Sequence, residues 1–253
     1  MLFDTHAHLN DERFDEIRDE LISSLPAKGV GAYCEIGFDT ASSRQALQLA
    51  EKHDFIYAAA GVHPHDTDSL TAADMDSIAE LCNHPEVVAL GEIGLDYYYD
   101  NSKRENQRRW FDAQLSLAAE LGIPVAVHTR DAMGDTIDIL KAHRENTGII
   151  HCYSGSVESA RILLDMGYYI SFAGPLTFKN ANTALEVARF VPDDRLLIET
   201  DSPYLAPVPY RGKTNCPVYV AEVAKKLAEL RGKTFEEIAE LTFDNAKKVY
   251  RIE

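Results

Sequence analysis

Short apolar segments with β-forming character recur along this chain, and each is followed by a stretch with helical periodicity. The apolar segments are Leu2 to Thr5, Gly31 to Ile36, Ile56 to Val62, Val87 to Glu92, Pro124 to His128, Gly148 to His151, Tyr168 to Phe172 and Leu196 to Asp201. Helical patterns cover Phe14 to Leu25, Ser42 to His53, Ala72 to Leu81, Lys103 to Leu121, Ala132 to His143, Val157 to Met166, Ala184 to Phe190 and Val218 to Leu230. In the clearest of these, Trp110, Phe111, Gln114, Leu115, Ala118 and Leu121 fall on one stripe, which makes Trp110 a core residue. Gly29, Gly122 and Gly167 follow helical patterns where a left-handed residue is wanted. Strands that alternate with helices pair in parallel through right-handed crossovers. Eight such units close as a (β/α)8 TIM barrel, and fewer lie open as a doubly wound sheet. No linker, low-complexity run or charge block divides residues 1–253, which predicts a single domain.

The 25 basic and 41 acidic side chains give a net charge of −16. A protein that coats nucleic acid with a broad basic face is therefore disfavoured. No stretch approaches the roughly 18 apolar residues of a membrane span, and the opening residues show no basic segment leading into an apolar run. Cys34, Cys82, Cys152 and Cys216 are far apart and form no CxxC pair, so neither a disulfide framework nor a thiolate zinc cluster is expected. A reduced, cytoplasmic setting is the expectation.

Polar side chains able to bind metal stand at the C-terminal ends of these otherwise apolar strands. The first ends in His6-Ala7-His8, whose imidazoles share a strand face and can reach one ion. The fourth ends in Gly91-Glu92-Ile93-Gly94, with glycines that allow close approach to the carboxylate. His128, His151 and the Glu199-Thr200-Asp201 segment end the fifth, sixth and eighth. A closed barrel brings all of these ends to one mouth, where barrel enzymes keep their active sites, whereas an open sheet scatters them. The α/β barrel is therefore the expected fold. His53, His84 and His143 lie in helical segments or at their ends and are read as structural.

At this point the chain resembles the TatD-related metal-dependent hydrolases of the amidohydrolase superfamily. The resemblance rests on Phe3-Asp4-Thr5-His6-Ala7-His8-Leu9, Gly61-Val62-His63-Pro64-His65, Gly91-Glu92-Ile93-Gly94-Leu95-Asp96-Tyr97 and Pro124-Val125-Ala126-Val127-His128-Thr129-Arg130. His151-Cys152-Tyr153-Ser154-Gly155, Glu199-Thr200-Asp201-Ser202-Pro203-Tyr204-Leu205 and Arg211-Gly212-Lys213-Thr214-Asn215 complete it across essentially the whole chain. The resemblance implies two adjacent divalent-metal sites. His6, His8, Glu92 and Asp201 would form one, and Glu92, His128 and His151 the other, with Glu92 bridging. It also implies magnesium-dependent DNA hydrolysis, often from the 3′ end, with Glu92 and Asp201 as catalytic carboxylates. Four imidazoles suit zinc or manganese better than magnesium, which prefers oxygen ligands, so the resemblance and the ligand types point to different metals and both stay open.

Around the mouth, His63, Arg130, Tyr204 and Arg211 are expected to bind substrate, His63 as a phosphate contact or proton donor and Arg130 as a phosphate clamp. An ion pair of Arg130 with Asp131 or Asp135 is the competing reading. Lys179, Lys213 and Asn215 are expected to extend a basic lip, although a solvated loop carries some charge anyway. Tyr97 to Tyr99 offer rings to unpaired bases, with alternation turning only some outward so that at least one packs. The sequence therefore predicts a deoxyribonuclease acting on DNA ends or single strands, as a monomer or small homo-oligomer without a membrane partner. The alternatives are a small-molecule amidohydrolase or esterase, a misacylated-tRNA deacylase on the same site, and a metal-stabilised scaffold.

Overall fold

A computed structural model describes residues 1–252 of the chain. Eight strands form one parallel sheet in sequence order: β1 (Leu2–Ala7), β2 (Val30–Ile36), β3 (Ile56–Ala60), β4 (Val87–Asp96), β5 (Val125–Arg130), β6 (Gly148–Ile150), β7 (Tyr169–Phe172) and β8 (Leu196–Ile198). The ring closes just past the last strand. Ala7 bridges Ser202, the His8 amide donates to the Ser202 carbonyl at 2.8 Å, and the Asp201 amide donates to the His6 carbonyl at 2.8 Å. Helices α1 (Arg18–Ser24), α2 (Thr40–Ala50), α3 (Ala72–Cys82), α4 (Arg104–Leu121), α5 (Met133–Ala142), α6 (Val157–Asp165), α7 (Asn182–Phe190) and α8 (Val220–Arg231) follow the strands in turn. The fold is a (β/α)8 barrel. Among the described residues no helix is long and apolar enough to cross a membrane.

Local chemistry accounts for these elements. Capping boxes start α2 at Asp39 and α3 at Thr71, in each case with a side chain at the third helical position returning the bond. Gly122 ends α4 with φ of 67°, a conformation that costs other residues free energy. α4 buries Trp110, Phe111, Leu115 and Ala118 against the barrel wall, as its stripe predicts.

Three differences from the sequence reading matter for function. β4 runs on to Asp96, four residues beyond the expected end, which keeps Asp96 on the same strand as Glu92. β8 stops at Ile198, and the chain pairs with β1 again only around Asp201, whose backbone is left-handed at φ 56°, and Ser202. A ninth helix, α9 (Phe235–Tyr250), follows α8. It supplies Ala246, Val249 and Tyr250 to a core with Phe3, Ala32, Cys34, Ala59, Ala89 and Leu197, drawn from strands around the barrel. Its Tyr250 hydroxyl donates to the Thr5 carbonyl at 2.7 Å, beneath the histidines of β1.

Candidate metal centre

The expected strand-end residues converge. His6 Nε2 and His8 Nε2 stand 3.2 Å apart, and Glu92 Oε2 faces both, at 3.4 and 3.6 Å. Asp201 Oδ1 lies 4.0 Å from His6 Nε2 and 3.7 Å from His8 Nε2. The other carboxylate oxygen, Glu92 Oε1, lies 2.9 Å from both His128 Nδ1 and His151 Nε2, which are themselves 3.2 Å apart. One buried carboxylate therefore presents each oxygen to a different pair of imidazoles.

Hydrogen bonds at the far side of three rings fix which nitrogen carries the proton. His8 Nδ1 meets the Ile36 carbonyl at 3.1 Å, and a carbonyl only accepts. His151 Nδ1 meets Glu199 Oε1 at 3.2 Å, and His128 Nε2 meets Asp96 Oδ2 at 3.2 Å. In each neutral ring the remaining nitrogen bears a lone pair, and all three lone pairs point into the cluster. Lone pairs and carboxylate oxygens buried together repel unless a positive charge lies among them; in metal-free protein the raised His151 supplies it as a proton, and a bound cation would take that proton's place. Donors bound to one first-row cation at about 2.1 Å sit roughly 3 to 3.5 Å apart, which matches this spacing. The donor set thus fits divalent metal.

Titration behaviour has the same origin. Burial pushes Glu92 upward, but the surrounding imidazoles, His151 foremost, hold its carboxyl well below the usual range. Burial likewise opposes ionisation of Asp201, and its hydrogen bond with His8 and the nearby imidazoles outweigh that effect. Burial works against charge on His151, yet Glu92 and Glu199 raise it well above an ordinary histidine. His6 is lowered, by burial first and by neighbouring His151 second.

His63 was expected at the mouth, and it reaches the cluster itself. Its Nε2 lies 3.6 Å from Glu92 Oε1, while its Nδ1 accepts the His65 amide at 3.2 Å. The neutral ring therefore carries its proton on Nε2, so it points a donor, not a lone pair, toward Glu92. Burial first, opposed by Glu92 and aided by adjacent imidazoles, holds it well below the usual histidine range.

Asp96 had no assigned role in the sequence reading. It is buried, and Oδ2 accepts from His128 and, at 3.0 Å, from His65 Nε2, while Oδ1 accepts the amides of Tyr98 and Tyr99 at 3.0 and 2.9 Å. Burial alone would raise its pKa, but these bonds, His128 first, hold it far below. Gln107 of α4 fastens the same residue, its Oε1 accepting the Asp96 amide at 2.9 Å and its Nε2 donating to the Asp96 carbonyl at 3.1 Å. Gln114 clamps Val62, next to His63, in the same two-bond manner. Amides on an otherwise apolar stripe were the available signal. Glu199 accepts from His151 Nδ1 and from the Cys152 amide at 2.6 Å, so it orients a ring of the cluster. The glycines of β4 serve the strand next door: a Cβ at Gly94 would strike the His128 carbonyl, and one at Gly91 would meet Ala126.

Two clefts share this floor. One, of 610 Å³, is lined by Phe38, His63, His65, Tyr99 and Tyr204, and the other, of 420 Å³, by Tyr153, Phe172, Leu176 and Phe178. His128, Arg130, His151 and Asp201 border both. Arg130 makes no ion pair among the described residues. Its guanidinium lies 4.0 Å from the Tyr98 ring centre and 4.7 Å from that of Tyr99, while Asp135 pairs with Arg108 at 2.8 Å. Tyr204 is exposed with Arg13 over its ring. Arg211 packs on Phe178 at 3.8 Å and lines neither cleft. Asn215 does not form a lip: it is buried and donates to the carbonyls of Thr200 and Tyr204 at 2.8 and 2.7 Å, bracing the loop from within. His84 and His143 pair with Glu51 and Asp112, away from the cluster, and His53 packs beside Phe55.

Comparison with known proteins agrees with this geometry. A family model described as TatD related DNase matches residues 3–251. The uncharacterized metal-dependent hydrolase YabD of Bacillus subtilis is 48% identical over 254 residues, with 100% of each chain covered. The 3′-5′ ssDNA/RNA exonuclease TatD of Salmonella typhimurium is 35% identical over 258 residues, with 99% of each covered. Among solved structures, YjjV, a TatD homolog from Escherichia coli K12, superposes with a TM-score of 0.94 at 29% identity, covering 100% of this chain and 98% of that one. With its barrel, its buried histidine–carboxylate cluster and these matches, the chain belongs to the TatD-related DNase family of metal-dependent hydrolases.

Proposed function

We propose that this chain is a nuclease that hydrolyses DNA phosphodiester bonds at single-stranded or frayed ends, from the 3′ side, with two divalent cations held by His6, His8, Glu92 and Asp201 and by Glu92, His128 and His151. The observation that carries the proposal is the divided aim of Glu92, with Oε2 facing His6 and His8 and Oε1 facing His128 and His151. Bound divalent cations supply an activated water and offset charge on the attacking and leaving oxygens, a role suited to phosphodiester cleavage. Magnesium, manganese and zinc all remain compatible with the donors.

The side chains then divide the work. Glu92 joins the two donor sets and fixes their separation. Asp201 borders both clefts, so its carboxylate accepts the proton of the attacking water. His63 lines one cleft with its Nε2–H toward Glu92, from where it donates to a phosphoryl oxygen seated beside that carboxylate. Arg130, at the border of both clefts, holds the phosphate on the strand side. Tyr204 flanks the path of the strand, and Arg211 adjoins it only through Phe178, on which it packs. The polarity rests on the 35%-identical exonuclease relative.

Metal-defined protein should be tested on single-stranded DNA and RNA labelled at either end, blunt duplex, closed circular plasmid and a panel of small amides. We expect loss of nucleotides from the 3′ end of single-stranded DNA, little attack on the plasmid, and activity at background in Glu92→Ala and Asp201→Ala. Nuclease activity retained in both variants, or amide turnover in place of DNA cleavage, would overturn the proposal.

A further inference from the structure

Next to the cluster, two aromatic rings face solvent without an evident structural partner for their outer faces. Tyr98 and Tyr99 are 58% and 56% exposed, although each is a large side chain that ordinarily buries most of its surface. Their rings meet edge to face, with centres 5.0 Å apart at 87°. The Arg130 guanidinium packs against both from the barrel side, and the His65 ring abuts Tyr99 at 5.5 Å. The pair is therefore held from within and open outward.

The loop that carries them is tied to the metal-binding residues through a single side chain. Asp96 Oδ1 accepts both tyrosine amides, and Asp96 Oδ2 accepts from His128, whose other nitrogen faces Glu92. One carboxylate and one imidazole separate the tyrosine backbone from the centre of the cluster. Arg130 sits two residues beyond His128 on β5, on the same strand face, and borders both clefts. An exposed aromatic surface thus adjoins a cation that is itself beside the proposed phosphate position.

We propose that Tyr98 and Tyr99, backed by Arg130, form a stacking platform for unpaired nucleobases of the strand whose phosphodiester lies over Glu92. The proposal rests on the nuclease reading and adds what that reading leaves open, the means by which a strand is held. Stacking on a tyrosine needs a free base face, which a duplex interior does not offer, and it is indifferent to base identity. With a net charge of −16 the field of the protein as a whole does not attract a polyanionic backbone, so base stacking supplies grip that overall charge does not.

Binding of a short phosphorothioate oligothymidylate and of an abasic oligonucleotide with the same backbone charge tests this in the metal-loaded protein. The thymidine strand should bind about 10-fold more tightly than the abasic one. That preference should vanish in the Tyr98→Ala/Tyr99→Ala double variant and persist in Tyr98→Phe/Tyr99→Phe, which keeps both rings. Equal binding of the two strands by the wild type, or a preference that survives the double alanine change, would overturn the platform. Cleavage of ordinary oligothymidylate, followed in parallel, separates the two readings. A base-dependent preference without cleavage refutes the nuclease reading and leaves the platform standing, while cleavage with base-independent binding refutes the platform alone.

Discussion

Asp96 shows how much of this site depends on side chains outside the cluster. Its Oδ2 sets the tautomer and tilt of His128, so its removal should loosen one donor set and spare the other. Asp96→Asn is expected to weaken binding of one cation by about 10- to 100-fold in a metal titration, with the other affinity unchanged. Equal loss at both positions, or no loss at either, would refute that division. Glu35 offers a second residue-scale prediction. It is buried, its Oε1 accepts the Asn10 amide at 2.8 Å, and burial pushes its carboxyl up to about 7 from 4.5. The folded state then holds this proton more tightly than the unfolded chain, so the associated stability is full below about 4.5 and is lost as pH rises through about 7. In metal-free protein Glu35→Gln should gain about 3 kcal/mol relative to wild type between acid and mildly alkaline pH. Denaturation curves that run parallel at both pH values would contradict it. The sequence announced His6, His8, Glu92, His128, His151 and Asp201 because strand alternation and strand ends are local patterns. It was silent on Asp96 and Glu35 because their roles come from contacts between neighbouring strands and loops.

At the scale of elements, the eight repeats were legible since each strand and helix carries its own periodicity. The largest omission was α9. Its signal was present in Thr234 and Glu237, which form a capping box, and in the apolar stripe through Ile238, Ala246 and Val249. A helix that follows another helix breaks the strand–helix alternation, and so falls outside the pattern that organised the rest. Its position accounts for its importance: Asn245 donates to the Asp193 and Leu196 carbonyls at 2.7 and 3.0 Å, which ties α9 to the start of β8. Thr234→Ala removes the cap and should lower the unfolding free energy by about 1 kcal/mol. Metal affinity should stay constant in that variant, since the cap is remote from the donors. An unchanged melting temperature would argue against a formed cap. The ends of β4 and β8 were misplaced because their lengths are set by pairing with neighbours, and by the left-handed turn at Asp201, not by composition.

At the scale of the molecule, the acidic charge and the nuclease reading are compatible once the site is seen as local. A few phosphates near Arg130 and the cluster need few counterions released, so oligonucleotide affinity should fall only shallowly with salt, with a slope of about one to three. A steep slope would mean an extended run of cationic phosphate contacts and would contradict this local picture. Closure of the barrel was inferred from the chemistry at the strand ends, and the Ala7–Ser202 bridge is where the chain itself completes it. The central claim is that Glu92 joins two donor sets. The most direct measurement is the stoichiometry and affinity of manganese binding to wild type and Glu92→Ala by calorimetric titration. Two ions per wild-type chain, with both affinities sharply reduced in Glu92→Ala, is the predicted result; a single ion in wild type, or two undiminished ions in the variant, would contradict it.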